Sequence, residues 1–435
     1  MTHSYKKQHT KNRWAIEEII TLIIVGVFFV SIVLSDMRVR VLNIGDSAIS
    51  PVTVASVGVA LWAVYIHKKN NHQGSWGKKH RWWIILVSLY CMSFIAKAWS
   101  AQTVHAWGIA LEWVVMPVMG AVATAYLWLV AHKQKMAMSI HAQMQWAVCG
   151  VMGVISMISV VMLFIGDRTY DDRFYGIWTS PNHLALLLAP LLAMSIIGLM
   201  WHRGSFVGLC AQISIIIGSV MILIATQSLG ALLGLCGAVM MFAMVKCVNA
   251  MQVSRKGVVG TVVMMGMLGA ILATAGVYKF ESAYEQSDRS PLASRIMIWS
   301  AAADMIRHNP VTGIPLGEFQ DQYLAYQKFY PPYLEWSAPL PHNTALALWL
   351  YGGVGTVVLF CTIIVQVIVL LLNMRNRQTT EAKKVQLIAI GGILTIVIHG
   401  VFDTHLMRSD LAAAFWLLCV VLVATSSDTI GSQEA

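Results

Sequence analysis

Long apolar runs alternate with short polar links from one end of this chain to the other. A span across about 30 Å of hydrocarbon takes roughly twenty mostly apolar residues. Twelve segments meet that length: 17–35, 48–67, 82–99, 104–131, 144–165, 183–201, 206–226, 229–248, 258–279, 343–373, 386–403 and 410–427. Inside lipid the backbone has no water to bind, so segments of this length are expected to be helices. The predicted fold class is an all-α, polytopic membrane protein with about twelve transmembrane helices. One interruption breaks the rhythm. Between the ninth and tenth spans, residues Phe280 to Pro341 are water-compatible, and they end on Pro341-His342-Asn343 at the mouth of another apolar run. The chain is therefore read as 1–279, an N-terminal bundle of nine spans; 280–342, a large loop; and 343–435, three further spans and a tail.

Within the loop, periodicity predicts short helices. Ser294 to Asn309 puts Ile298, Trp299, Ala302 and Ile306 on one stripe, the spacing of an amphipathic helix. It should stop at Asn309-Pro310, because proline disfavours helix in the residue before it. Thr312 to Gly317 reads as a turn-rich connector. A second helix is expected over Glu318 to Tyr330, ended by Pro331-Pro332. Tyr323, Tyr326, Phe329, Tyr330, Tyr333 and Trp336 make this stretch aromatic, which suits either an interfacial belt or stacking against a glycan.

Composition agrees with the pattern: 57% of the residues are hydrophobic and 11% charged. Lys and Arg set the orientation, because cytoplasmic loops carry the excess. With the N-terminus inside, nineteen of the 30 basic residues fall in inner segments, and the large loop lies outside with both termini cytoplasmic. Most acids fall outside, so the net charge of +10 reflects topology and carries no nucleic-acid signal. The first span lacks a small-residue cleavage site and reads as a retained anchor. The seven cysteines lie in or beside spans without a CxxC pair, which argues against a disulfide framework or a zinc site.

The loop gathers groups suited to an anionic substrate. Arg295 and Trp299 are four apart and share a helix face. A guanidinium matches phosphate oxygens and stays charged at any working pH, although a loop arginine can equally be solvated or salt-bridged. His342 could accept a proton from an attacking hydroxyl; alternatively it, or Asn343, caps the following helix. Arg289 adds a further cation. A second outer cluster, Asp167 to Gly176 followed by Trp178 to His183, brings Arg168 and Arg173, which could complete a cationic wall or be neutralised by adjacent acids. No acidic dyad is spaced for a metal. Inside spans, Lys97, Glu112, His399 and Asp403 should face the bundle interior. Lys97 with Glu112, and His399 with Asp403 on one face of the eleventh span, read as structural polar pairs.

Several of these segments, in order, resemble the O-antigen ligase and Wzy-type polymerase superfamily. They are Ser294-Arg295-Ile296-Met297-Ile298-Trp299, Asn309-Pro310-Val311-Thr312-Gly313, Gly317-Glu318-Phe319, His342-Asn343-Thr344-Ala345-Leu346 and Gly352-Gly353-Val354-Gly355. Tyr175 to Ala185 is similar to an upstream family element and His399 to Asp403 to its tail; the likeness covers roughly residues 165 to 427. The resemblance implies a GT-C-like fold and a metal-independent, cofactor-free, inverting glycosyltransferase of the bacterial inner membrane. Its donor would be an undecaprenyl-diphosphate-linked glycan, used on the periplasmic face. The acceptor would be a hydroxyl of lipid A-core, as in a ligase, or of a growing glycan, as in a polymerase. It further implies that Arg295 contacts the diphosphate and His342 activates the hydroxyl; by their positions in the two outer loops Arg173, Arg168, Arg289, Trp299 and Asn343 are the candidates for lining the substrate site. One departure stands out. Where the family often carries an arginine, this chain reads Thr226-Gln227-Ser228-Leu229-Gly230, so the second cation is expected from elsewhere, Arg173, Arg168 or Arg289, with the Asp167 to His183 segment favoured. A transporter of lipid-linked sugar is the competing class. It would need polar groups through the membrane thickness, and the spans show few.

Overall fold

The computed structural model describes residues 20–35, 42–44, 47–69, 81–133, 139–166, 168–169, 172–202, 205–250, 291–331, 336–373 and 381–426. Its helices are α1 (Ile20–Ser35), α2 (Pro51–Lys69), α3 (Arg81–Ala101) and α4, which runs from Val104–Ala110 through a π-helical turn, Leu111–Val115, into Met116–Lys133. They continue with α5 (Ile140–Ile165), α6 (Pro181–Leu199), α7 (Phe206–Ala225), α8 (Leu229–Ala250), α9 (Pro291–His308), α10 (Phe319–Tyr326), α11 (Thr344–Asn373), α12 (Glu381–His399) and α13 (Ser409–Ser426). Among the described residues nine helices are long and apolar enough to cross a membrane, and α1 and the apolar part of α8 are shorter. Eleven of the twelve predicted segments thus carry a helix. The twelfth, 258–279, lies outside the described residues, as does Arg289. The architecture is that of a multi-pass membrane protein. A small antiparallel hairpin, β1 (Leu42–Ile44) and β2 (Ser47–Ile49), joins α1 to α2 and was not foreseen in an all-helical reading.

Helices α6, α12 and α13 form the interior. The most apolar windows of α6 and α12 are 72% buried and that of α13 89%, against 22% for α3 and α7 and 17% for α11. α12 packs on α6, α8 and α13, while α13 lies on α4 and α11 on α3. Small residues permit the closest of these approaches. A Cβ at Gly230 would stand 2.6 Å from the His399 ring, one at Gly234 2.8 Å from the Thr395 carbonyl, and one at Gly237 2.6 Å from Ile398. Glycines at this spacing on one face bring two backbones together in lipid, where packing and hydrogen bonds replace the hydrophobic drive.

The loop helices fall where periodicity puts them. α9 buries Ile298, Ala301, Ala302, Met305 and Ile306, and α10 continues into a 3₁₀ turn at Gln327–Phe329. The connector between them is fastened to a break in α11. Gly353 sits at φ 74°, ψ 178°, which frees backbone groups on both sides of it. Ile314 donates to the Leu350 carbonyl at 2.7 Å and Val354 donates to the Val311 carbonyl at 3.1 Å, so the connector satisfies what the break exposes. The Lys97 ammonium donates to the Thr312 carbonyl at 2.9 Å. This corrects the expected Lys97–Glu112 pair: Glu112 instead accepts from the Ser50 amide at 3.0 Å. A Gly353→Ala variant combines a disfavoured φ with a Cβ placed 2.3 Å from the Val311 carbonyl oxygen. It should cost more than about 1 kcal/mol, read as a lower thermal midpoint in detergent; an unchanged midpoint would refute this account of the break.

Candidate active site

At its C-terminal end α12 stops at His399, and Gly400 turns the chain away. Asp403 therefore lies in the loop beyond the helix. This corrects the reading that paired it with His399 inside a span. The Asp403 carboxylate is buried and accepts from His342 Nδ1 at 3.1 Å and from the Thr404 amide at 2.9 Å. Burial alone would raise its pKa, but His342, Arg295 and His183 outweigh that and hold it well below the usual carboxylate value. The group is an anion.

His342 is held in the left-handed region at φ 47°, an uncommon conformation for a non-glycine residue, of the kind found at functional sites. Its surroundings impose that geometry. The Thr344 amide donates to the Gly400 carbonyl at 2.7 Å, and the Thr344 hydroxyl donates to the Asp403 carbonyl at 2.9 Å. The Asn343 side-chain NH₂ donates to the Val401 carbonyl at 2.9 Å, and the Trp299 indole N–H donates to the His342 carbonyl at 3.2 Å. Residues 342–344 are in effect zipped to 400–403, with α9 pressing from above. An acceptor fixed on Nδ1 sets the tautomer: Nδ1 carries the hydrogen, and the lone pair is on Nε2.

Arg295, half-buried on α9, has no hydrogen-bond partner among the described residues. Burial loosens its hold on the proton, Asp403 opposes that effect, and Arg173 adds to it, so the guanidinium feels both an anion and a second cation. Arg173 is braced from two elements: its Nε–H donates to the Thr226 carbonyl at 3.0 Å, and its Nη2 donates to Asn182 Oδ1 at 2.7 Å. Thr226 begins the Thr226 to Gly230 stretch, so Arg173 reaches the neighbourhood of Leu229. Of the other candidates, Arg168 is exposed and ion-paired with Asp172 at 3.0 Å. Trp299 and Asn343 act on the protein itself, the first on the His342 carbonyl and the second as the α11 cap, accepting from the Leu346 amide at 3.0 Å.

Three members of this cluster, Asp403, His183 and Arg408, are given no role in the site by the sequence reading. Asp403 was assigned to a span. His183, at the start of α6, takes Arg408 Nη1 on its ring at 3.0 Å, and Arg408 also donates to Asp410 at 3.2 Å. The signal for Asp403 was the His399-Gly400 pair, since glycine just past a helical run marks its end. The capping role yields a prediction. Asn343→Ala should cost about 1 kcal/mol, the usual price of a lost cap, visible as a lower thermal midpoint, with transfer per folded molecule largely kept. Lost transfer at an unchanged midpoint would instead make Asn343 a substrate contact.

Residues 213–361, about a third of the chain, match the family model described as O-antigen ligase (Wzy_C). The matched stretch holds Arg295, Trp299, His342 and Asn343 and excludes Arg173 and Asp403. No curated protein matches the chain.

Proposed function

Starting from an O-antigen ligase family domain over residues 213–361, we propose that the chain moves a glycan from an undecaprenyl-diphosphate carrier onto an acceptor hydroxyl at the periplasmic face of the inner membrane. Ligation to lipid A-core is the preferred form of that reaction. The observation that carries the reading is the His342–Asp403 pair, with Arg295 and Arg173 beside it.

The acceptor hydroxyl attacks the anomeric carbon from the side opposite the diphosphate, so configuration inverts. As the new C–O bond forms and the sugar–phosphate bond breaks, the hydroxyl proton passes to His342 Nε2. Asp403 holds the ring and stabilises the imidazolium that results. The charge that develops on the departing diphosphate is met by Arg295, with Arg173 as the second cation. Neither arginine moves a proton; both are fixed charges in a partly dry site. No step asks for a metal. Against a transporter stands the distribution of buried ionisable groups. Among the described residues, His141 and Lys384 lie at one end of the bundle, and His399, Asp403, His405 and Asp410 at the other.

Reconstitution of the purified protein with a lipid-linked glycan and lipid A-core tests the reading. Core that acquires glycan supports ligation. A lengthening carrier-linked ladder without modified core would assign polymerisation instead, and neither product would remove the proposal.

A further inference from the structure

Asp403 touches His342 directly, whereas a second buried carboxylate in the same cluster, Asp410, reaches a second histidine only through an arginine. Helix starts fix both ends of that chain. Ser180 caps α6, its hydroxyl accepting from the His183 amide at 3.2 Å, which places His183 in the first turn. Arg408 is the last residue before α13, its carbonyl accepting from the Ala412 amide at 2.9 Å. From there Arg408 Nη2 donates to Asp410 at 3.2 Å, while Nη1 lies 3.0 Å from His183 Nδ1 and 3.4 Å from Nε2. The arginine side chain is 19% exposed and that of the aspartate 3%. The order is carboxylate, guanidinium, imidazole; at His342 it is carboxylate, imidazole.

That one insertion reverses what the ring can be. A guanidinium has only hydrogens to offer, so whichever ring nitrogen receives Nη1 must hold a lone pair there. An imidazolium has none. The Thr179 hydroxyl, also bonded to Nδ1, suits either neutral tautomer because it can donate or accept. The helix acts in the same direction: the partial positive charge at the α6 N-terminus disfavours a cation in the first turn. The charged and titratable groups acting on His183 come from three elements. They are Arg408 and Asp410 at the entrance to α13, Asp403 in the loop after α12, and His342 just before α11. Of these only the two acids would favour a charged ring, and each is bonded elsewhere, Asp410 to Arg408 and Asp403 to His342 at 3.1 Å. Asp403 Oδ2 is buried with no hydrogen-bond partner among the described residues, so it does not hold His183.

We infer that Arg408 is a positioning residue that keeps His183 uncharged and its lone pair in use, so that of these two imidazoles only His342 can take up a proton. Asp403 lies within electrostatic reach of both, and a charged His183 would divide the pull of that carboxylate between two cations. The charge assignment is independent of the glycan-transfer reading; its consequence for the rate rests on that reading. The full-length protein, labelled at its histidine nitrogens for NMR, is titrated from about pH 5 to about pH 8, the window of an ordinary histidine. His183 is identified as the signal lost in His183→Asn. In the wild type its nitrogens should stay those of a neutral ring throughout, and in Arg408→Gln, which also releases Asp410, the ring should become charged within the window. A His183 that titrates in the wild type overturns the inference, and that outcome needs no variant to fold. A ring that stays neutral in folded Arg408→Gln removes Arg408 as the cause. In single-turnover transfer, Arg408→Gln should lose about tenfold more activity than the wild type on going from the basic to the acidic end of the window, the effect of one added charge beside the pair. Combining it with His183→Asn should restore the wild-type shape of the profile. Parallel profiles for the wild type and Arg408→Gln would overturn the kinetic role. A wild type that transfers no glycan while His183 stays neutral would count against the transfer reading and uphold the charge assignment.

Discussion

A His342→Ala variant is expected to insert, fold and bind carrier lipid, yet to transfer glycan about 10²–10⁴ times more slowly than the wild type, the usual contribution of a positioned general base. The expectation follows from geometry. Asp403 occupies Nδ1, so only Nε2 is available for the hydroxyl proton. His399 and His405 lie deeper, ring against ring with centroids 5.0 Å apart, and are buried. Asp403→Asn tests the same arrangement from behind. An asparagine preserves the size of the side chain while removing the charge that would stabilise the imidazolium, and its NH₂ can force the wrong tautomer on His342. A loss approaching that of His342→Ala, with KM for the acceptor little changed, marks Asp403 as a positioning residue. Near wild-type transfer in His342→Ala, measured on protein shown to be folded, would end the proposed mechanism.

Arg295 carries the second large effect. Replacing it with alanine should lower kcat by about 10²–10³, the range seen when a preorganised group opposite a developing charge is removed. Arg295→Lys should recover little of this, because an ammonium cannot offer two parallel N–H groups to a phosphate. Arg173→Ala should be milder for donor binding but not additive with Arg295→Ala, since each guanidinium feels the other. The measurement is single-turnover transfer with saturating acceptor. Full activity of Arg295→Lys would reduce Arg295 to a general positive field and remove its bidentate role.

The limits of sequence reading can be located residue by residue. The spans were legible because length and apolarity are local properties, and α9 was legible because Ile298, Ala302 and Ile306 recur at helical spacing. Arg295 and His342 stood out as polar groups beside apolar runs. Asp403 did not, because an apolar stretch before it masked the end of α12 and a four-residue spacing suggested His399 as its partner. Lys97 and Glu112 show the same limit. Their partners, the Thr312 carbonyl and the Ser50 amide, are backbone groups distant in the chain, and nothing in a hydropathy pattern records them. Arg173 is one of three cations, with Arg168 and Arg289, that the sequence offers in place of the arginine expected at Leu229. What singles it out is its brace to Thr226 and Asn182, a product of how α6 and α7 meet.

The uneven burial of the spans has a consequence for how this sequence can drift. Hydrocarbon tails are as apolar as leucine, so the outward positions of α7 and α11, such as Ile217, Met221, Val358 and Val365, are constrained in polarity but scarcely in shape. Leu186, Leu188, Phe415 and Leu422, in α6 and α13, are fully enclosed, and there even one methylene too many or too few is felt. A saturation mutagenesis scan should therefore show two alphabets: any hydrophobic residue accepted on the rim, and few beyond the native one at the centre.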